Sequence, residues 1–171
     1  MSMLCFTGPA KVVGDDINTD YIISSRRKRD NQDMRYLAQY FMEDLDPGFA
    51  ARVRKGDILV AGKNFGCGSA MEVAATVMVG VGIPAIAAKS FSRTYFRNAI
   101  NNGILPACCD TSGIREDHMI EVKINGGVIT VNNLTSGDTL TAGTLAPSLV
   151  AILREGGLVP YIDKYKKFAM D

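Results

Sequence analysis

The chain has 171 residues, of which 47% are hydrophobic and 22% are charged, and its formal net charge at pH 7 is +1. These values are typical of one globular domain with a sizeable apolar core. They argue against a protein that binds nucleic acid or an anionic membrane through its net charge. No apolar run reaches the roughly 18 residues of a membrane span, and no signal peptide is apparent, so we expect a cytoplasmic protein.

The cysteines and the single histidine do not form a metal-binding pattern. Cys5, Cys67, Cys108 and Cys109 make no CxxC pair, and a lone His118 removes most zinc geometries. The ligand spacing of an iron–sulfur protein is also absent. We therefore expect reduced, mostly buried thiols and no metal held by this chain.

The first third of the chain predicts mostly extended structure and one helix. Residues 4–13 are apolar and β-branched, which favours a strand, and residues 14–25 predict a turn and then a second extended segment. Residues 26–33 predict a polar, charged loop. From Met34, apolar residues recur at intervals of three and four, which predicts an amphipathic helix that Pro47 closes.

The middle of the chain predicts a parallel β–α–β–α–β core. Short apolar strands alternate with helices over residues 56–62, 69–82, 83–88, 90–103 and 104–110. Ser90 is the expected N-cap of the second of these helices. This alternation indicates crossover connections between parallel strands.

The last third predicts an antiparallel addition to that core. Residues 118–133 form two alternating runs around an Asn125-Gly-Gly turn, a strong hairpin signal. Residues 138–143 predict one more strand, residues 146–157 a final helix, and residues 161–167 a polar tail. The fold class is therefore α/β, with additional antiparallel strands.

A glycine-flanked turn between the first core strand and its helix is the strongest candidate site. Gly66 and Gly68 flank Cys67, and the following helix N-terminus would present free N–H groups and a partial positive charge. The residues that follow do not fit a P-loop or a dinucleotide fingerprint. Ser69 and Glu72 match a capping box, but a serine among N–H groups could also act as a proton acceptor. The local pattern leaves both interpretations open.

Three segments in this order resemble the small subunit of 3-isopropylmalate dehydratase and the swivelling domain of aconitase and homoaconitase. They are "GDDINTDYII" (14–23), "GKNFGCGS" (62–69) and "SFSRTYFRNAINNG" (90–103). The resemblance runs from about residue 8 to residue 106. It implies a single swivelling β/β/α domain of the aconitase C-terminal-domain type over residues 1–171.

The resemblance also implies a function, that of a hydro-lyase subunit that is active only with its large subunit. In the family, a large catalytic subunit carries a [4Fe–4S] cluster, and the small subunit closes over it in a heterodimer or heterotetramer. The substrate is a small hydroxy-dicarboxylate, as in leucine biosynthesis, and no cofactor, membrane or nucleic acid is expected on this chain. The alternatives are a related hydro-lyase acting on a homoaconitate-, dimethylmalate- or citraconate-like substrate, an RNA-binding module and a degenerate subunit.

The family's motif at the glycine turn can be carried over residue by residue. The catalytic base falls on Ser69, beside Gly68, and the family's second serine is replaced by Ala70. The arginine that binds a substrate carboxylate is replaced by Met71, and a thioether cannot make a bidentate contact with a carboxylate. Either the substrate presents an alkyl group there, or another cation binds the carboxylate.

The candidate replacement cations lie in the run "RRKR" after the first motif. We expect Arg26 or Arg27 to bind the carboxylate, without a means to choose between them, although most charge runs are only solvated. Thr19 and Asp20 lie in the family's motif near the active cleft, but an Asx-type turn explains them equally well. The arginines of the segment 90–103 are expected to be structural or to lie at the subunit interface.

Overall fold

The computed structural model describes residues 3–166, and these contain one mixed sheet of seven strands. In chain order the strands are β1 (Leu4–Val12), β2 (Ile58–Ala61), β3 (Ala85–Ala88), β4 (Leu105–Cys108), β5 (Met119–Asn125), β6 (Val128–Asn133) and β7 (Asp138–Thr144). Their spatial order is β4-β3-β2-β1-β5-β6-β7. Strands β1 to β4 are parallel, and β5 runs antiparallel to β1 and continues into an antiparallel meander.

Eight helices accompany the sheet within the same residues. In chain order they are α1 (Thr19–Ile22), α2 (Ser25–Asp30), α3 (Met34–Ala38), α4 (Phe49–Arg52), α5 (Val73–Val81), α6 (Arg93–Asn101), α7 (Pro147–Arg154) and α8 (Leu158–Tyr165). The predicted β–α–β–α–β core is confirmed as β2-α5-β3-α6-β4, and the predicted hairpin as β5–β6. None of the described helices has the length and apolar character needed to cross a bilayer.

The parallel half is buried on both faces because its strands alternate between two apolar clusters. Ile58 and Val60 of β2 face the cluster that contains α7 and the antiparallel strands. Leu59 and Ala61 face the cluster that contains α3 and α5. Every residue of β2 and β3 is buried, which explains why these strands are continuous apolar runs in the sequence.

Two segments predicted without helix contain short helices. The second extended segment predicted within residues 14–25 is wrong, because the Asn18 side chain accepts a backbone N–H at 2.9 Å and starts α1. The loop predicted for residues 26–33 is also wrong, because the Ser24 hydroxyl caps α2 in the same way at 3.3 Å. Helices of four and six residues are too short to show a periodic pattern.

The helix predicted from Met34 to Pro47 ends at Ala38, and turns continue the chain. Met42 has a φ of +56°, which no α-helix contains. Its N–H donates to the Ile22 carbonyl at 2.9 Å instead of continuing the helical series. A contact made to α1, twenty residues away in the sequence, therefore ends the helix early.

Two further expectations about helices are corrected. Ser92, and not Ser90, is the N-cap of α6, since its hydroxyl accepts the N–H three residues on at 3.2 Å. The polar tail predicted for residues 161–167 is largely helical, because Tyr161 of α8 is buried against the first apolar cluster. Lys167 lies outside the described residues.

The four cysteines are free thiols, but most are not buried as expected. Cys5 and Cys108 are exposed, Cys67 is half-buried, and only Cys109 is buried. Burial raises the pKa of the Cys109 thiol to about 11. Cys108 is the last residue of edge strand β4, and its side chain points to the opposite side from its neighbour's.

Candidate functional site

The candidate site is the loop of residues 66–72 between β2 and α5, called the Ser69 loop below. It leaves the sheet at the carboxyl edge of the parallel strands, where ligand sites of open α/β sheets are found. Ser69 is exposed at its centre, and α5 begins only at Val73. The loop is therefore irregular where the sequence predicted the first turn of a helix.

The segment that follows β1 holds one side of the Ser69 loop. Gly66 N–H donates to the Ile17 carbonyl at 2.8 Å, and Thr19 N–H donates to the Cys67 carbonyl at 2.9 Å. The buried Thr19 hydroxyl then donates to the Ser69 carbonyl at 2.8 Å. These three bonds fix the backbone of the loop from its start to Ser69.

The segment that precedes α6 holds the other side. Phe65 N–H donates to the Ser90 carbonyl at 3.0 Å, and Ser92 N–H donates back to the Phe65 carbonyl at 2.9 Å. The Ser92 hydroxyl, while capping α6, also donates to the Gly66 carbonyl at 2.7 Å. The start of the loop is thus clamped between two chain segments distant in sequence.

Both glycines of the loop are required by positive φ angles and close approach. Gly66 has a φ of +77°, and a Cβ there would overlap the ring of Tyr95. Gly68 has a φ of +90°, and a Cβ there would lie 2.6 Å from the Asn18 side-chain oxygen. Only glycine combines this conformation with this proximity without strain.

The predicted capping box between Ser69 and Glu72 is wrong. Glu72 is itself the N-cap of α5, and it makes no side-chain capping bond. A serine N-cap at position 69 would offer its carbonyl to the N–H of Val73, but Thr19 occupies that carbonyl instead. The N-cap therefore lies three residues later than predicted, at Glu72 instead of Ser69.

The Ser69 loop presents a run of free backbone donors. From Gly68 to Val73, six successive N–H groups donate no hydrogen bond to any atom of residues 3–166. The Ser69 hydroxyl is likewise without a hydrogen bond to those residues, and it lies just before the positive end of the α5 dipole. The arrangement can stabilise a negative charge on the serine oxygen or on a bound anion.

A small cavity of about 70 Å³ opens between the Ser69 loop and α6. Its lining residues are all uncharged: Thr19, Gly66, Gly68, Ser69, Ala70, Met71, Ser92, Thr94, Tyr95 and Asn98. Of the residues that the sequence suggested, Thr19 and those from Gly68 to Met71 are brought together here. Asp20 is exposed outside the cavity and accepts a hydrogen bond from the Ser25 hydroxyl at 3.0 Å.

The two candidate arginines have different environments. Arg27 Nε and Nη2 donate to both carboxylate oxygens of Glu43 at 2.7 and 3.0 Å, and its guanidinium lies 3.7 Å from the Tyr40 ring centroid. The bond from Arg27 lowers the pKa of the Glu43 carboxyl. Arg26 lies 3.7 Å from the same carboxylate, and its side chain is 61% exposed. Arg27 is therefore held by two hydrogen bonds to Glu43, whereas Arg26 makes a longer ion pair with it and is mostly exposed to solvent.

The residues of α6 that line the cavity were not singled out from the sequence. Thr94 and Asn98 are four residues apart, so they lie on one helix face, and this polar pair is the signal that could have found them. Tyr95 is buried, and its hydroxyl donates to the Ala74 carbonyl at 3.0 Å. That bond ties α6 to α5 beneath the Ser69 loop.

Comparison with known proteins identifies the family of this chain. Residues 22–111, just over half of the chain, match the model of the aconitase C-terminal domain family. A 3-isopropylmalate dehydratase small subunit of Heliobacterium modesticaldum is 45% identical over 159 residues, covering 92% of this chain and 94% of that protein. The chain belongs to the aconitase C-terminal domain family.

A second relative and a solved structure support the same family. A 3-isopropylmalate dehydratase small subunit of Moorella thermoacetica is 42% identical over 94% of this chain and 96% of its own length. A crystal structure of 3-isopropylmalate dehydratase from Methanocaldococcus jannaschii matches with a TM-score of 0.88 and 36% identity, covering 95% of this chain and 96% of that one. The predicted resemblance and fold class are confirmed, and so is the expectation of a hydro-lyase subunit at the level of the family.

Replacing Thr19 tests how the Ser69 loop is held. Thr19→Val keeps the shape of this buried side chain but removes the hydroxyl that donates to the Ser69 carbonyl. We expect the free energy of unfolding of the isolated chain to fall by about 1–3 kcal/mol, because the carbonyl loses its partner. Thr19→Ser keeps the donor and should recover most of that loss in chemical denaturation. Equal losses in both variants would contradict the role of the hydroxyl.

Proposed function

We propose that this chain is the small subunit of a [4Fe–4S]-dependent 3-isopropylmalate dehydratase, and that it works in leucine biosynthesis in the cytoplasm. Small subunits that are 40–45% identical over more than nine-tenths of the chain support the assignment. The observation that carries the role of the site is the exposed Ser69 among six free N–H groups. We further infer that residues 1–171 form a single domain, which the continuous sheet supports.

We assign the cluster to the large subunit, because the side chains of residues 3–166 do not fit one. Residues 3–166 contain no group of three or more His, Cys, Asp or Glu side chains placed to hold a metal. Cys67, the cysteine in the Ser69 loop, has no second cysteine close to it in the sequence. We therefore derive only what the residues of this chain do.

Ser69 is proposed to accept the proton from the carbon next to a substrate carboxylate. The group that accepts the proton is the Ser69 alkoxide, which returns to the hydroxyl form as the negative charge passes to the substrate. The charge on the serine oxygen before the transfer, and on the substrate after it, must therefore be stabilised. The free N–H groups of the loop are donors fixed in place before the reaction, which is the arrangement that stabilises such charge at little reorganisation cost. Thr19 keeps the loop in register through its bond to the Ser69 carbonyl.

The cavity beside Ser69 is proposed to receive the alkyl group of the substrate. Gly68, Ala70 and Met71 contribute no charge to it, and Met71 also packs against the second apolar cluster. About 70 Å³ corresponds to roughly two water molecules, which suits a short branched group. A carboxylate placed there would be desolvated without a cation, which is costly.

Arg26 is proposed as the partner of a substrate carboxylate. Arg27 would have to give up both bonds to Glu43 before it could bind one. Arg26 is exposed and lies on α2, which directly follows the segment that holds the Ser69 loop. Thr19 and Asp20 are proposed to position that segment. The Thr19 hydroxyl is not proposed to contact substrate, because it already donates to the Ser69 carbonyl.

The test is reconstitution with the large subunit under anaerobic conditions and an assay of isopropylmalate, homocitrate, citraconate and dimethylmalate. We expect the highest kcat/KM with isopropylmalate. Arg26→Gln should raise KM about tenfold, whereas Lys28→Gln, on a different face of α2, should leave it within about twofold. A preference for homocitrate would overturn the substrate assignment, and equal KM values in both variants would remove Arg26 from the site.

A further inference from the structure

A second groove lies beside the Ser69 cavity, against the amino-terminal half of α6. Its volume is about 420 Å³, and it is lined by Ser90, Phe91, Arg93, Phe96, Arg97 and Cys108. It lies at the carboxyl ends of β3 and β4, the same edge of the sheet that carries the Ser69 loop. The function proposed above assigns no role to the side chains that line this groove.

The floor of the groove is apolar and firmly packed. The rings of Phe91 and Phe96 meet nearly edge to face, with centroids 5.7 Å apart. Phe91 also meets Phe65 nearly edge to face at 6.1 Å, and it packs against the second apolar cluster, whereas Phe96 packs against the first. A surface anchored in both clusters is preformed, which lowers the cost of binding.

Two arginines stand over this floor without partners. Arg93 and Arg97 are exposed, and within residues 3–166 neither forms an ion pair or a hydrogen bond through its guanidinium. They are four residues apart on one helix face, where like charges repel. Arg93 also lies in the first turn of α6, where the helix dipole disfavours cations. A bound carboxylate would relieve both unfavourable interactions.

We propose that this groove receives an acidic segment of the large subunit, whose carboxylates pair with Arg93 and Arg97 while apolar side chains cover Phe91 and Phe96. The inference rests on the proposed function, which requires a large subunit that covers the Ser69 cavity. The cavity and the groove both border α6 and both lie at the carboxyl edge of the parallel strands, so a partner that covers the cavity can extend to the groove. Two guanidiniums over an aromatic floor match an acidic segment in charge and in polarity.

The first test measures affinity for the large subunit with Arg93→Gln, Arg97→Gln and the double variant. Glutamine keeps most of the apolar stem and removes the charge. We expect each single change to weaken binding about tenfold and the double change about a hundredfold, with a weaker salt dependence than the wild type. The isolated variants should unfold at the same or a slightly higher temperature, because a repulsion is removed.

The matched control is Lys55→Gln, which removes one exposed charge from the opposite edge of the sheet. Lys55 precedes β2, whereas the groove follows the carboxyl ends of β3 and β4. This variant should bind the large subunit within about twofold of the wild type. Equal losses for Lys55→Gln and the arginine variants would reveal a general charge effect and overturn the proposal.

The second test uses Cys108 as a reporter inside the groove. A maleimide should modify Cys108 and Cys5 in the isolated chain, because both thiols are exposed. We expect the large subunit to protect Cys108 and to leave Cys5, at the start of β1, reactive. Unprotected Cys108 in a complex would overturn the proposal, and so would protection by a free dicarboxylate alone.

The two proposals fail in different ways. A complex that turns over isopropylmalate but binds the arginine variants normally would leave the proposed function standing and remove the groove from the interface. A wild-type chain that neither binds nor activates the large subunit would remove both. Weakened binding with unchanged kcat once the complex is saturated is the result expected of a docking contact.

Discussion

Ser69→Ala should lower kcat of the reconstituted enzyme by about three orders of magnitude, within the range of 10²–10⁴ that a general base contributes. The change removes the only atom proposed to accept the proton. KM should change little, because the free N–H groups that bind the anion belong to the backbone and remain in place. The measurement is steady-state turnover of isopropylmalate with saturating large subunit.

A change in the stability of the folded chain should not account for the loss of turnover. The Ser69 hydroxyl makes no hydrogen bond within residues 3–166, so its removal should leave the unfolding temperature of the isolated chain unchanged. Ser112→Ala is the matched control: this exposed serine lies between β4 and β5, and its hydroxyl bonds only to Asp110. Turnover of Ser69→Ala equal to that of Ser112→Ala would exclude Ser69 as the base.

Gly66→Ala should destabilise the isolated chain by about 2–5 kcal/mol. Its φ of +77° costs a non-glycine residue about 1–2 kcal/mol, and the added Cβ overlaps the Tyr95 ring, where overpacking costs about 1–3 kcal/mol more. Tyr95 cannot move away easily, because it is buried and its hydroxyl bonds to the Ala74 carbonyl. Chemical denaturation of the two proteins measures the difference.

The control for this prediction is Gly113→Ala, since no atom lies within 4 Å of a Cβ at Gly113 and its φ is not positive. It should change the free energy of unfolding by less than about 1 kcal/mol. A Gly66→Ala variant as stable as Gly113→Ala would mean that the loop and Tyr95 move apart at little cost. The Ser69 loop would then lack the rigid base on which its N–H groups depend.

The sequence predicted the core of the fold because its signals are local. β2 and β3 are short apolar runs, α6 carries a clear alternation of apolar and polar faces, and the hairpin turn is Asn125-Gly-Gly. Each pattern depends on residues within about ten positions of one another. The family resemblance was recognisable for the same reason, since its three segments are contiguous.

The errors in the fold come from contacts between residues distant in sequence. The N–H of Met42 donates to the Ile22 carbonyl instead of continuing α3. The segment predicted as a polar tail is helical where Tyr161 is buried in the core. Asn18, Ser24 and Ser92 are exceptions, since the caps they form are local and were open to prediction. Tertiary contacts overrode local preference in the other cases.

For the site, the sequence by itself determined where the candidate serine lies, directly after a glycine-flanked turn that follows a buried strand. Only the tertiary structure decided that Ser69 is not a helix cap, because Thr19, fifty residues earlier in the chain, holds its carbonyl. Only the tertiary structure also separated Arg26 from Arg27, because Glu43 accepts two hydrogen bonds from Arg27 and makes a longer ion pair with Arg26. A hydrogen bond depends on distances of about 3 Å, and a linear pattern does not contain such distances between residues that only folding brings together.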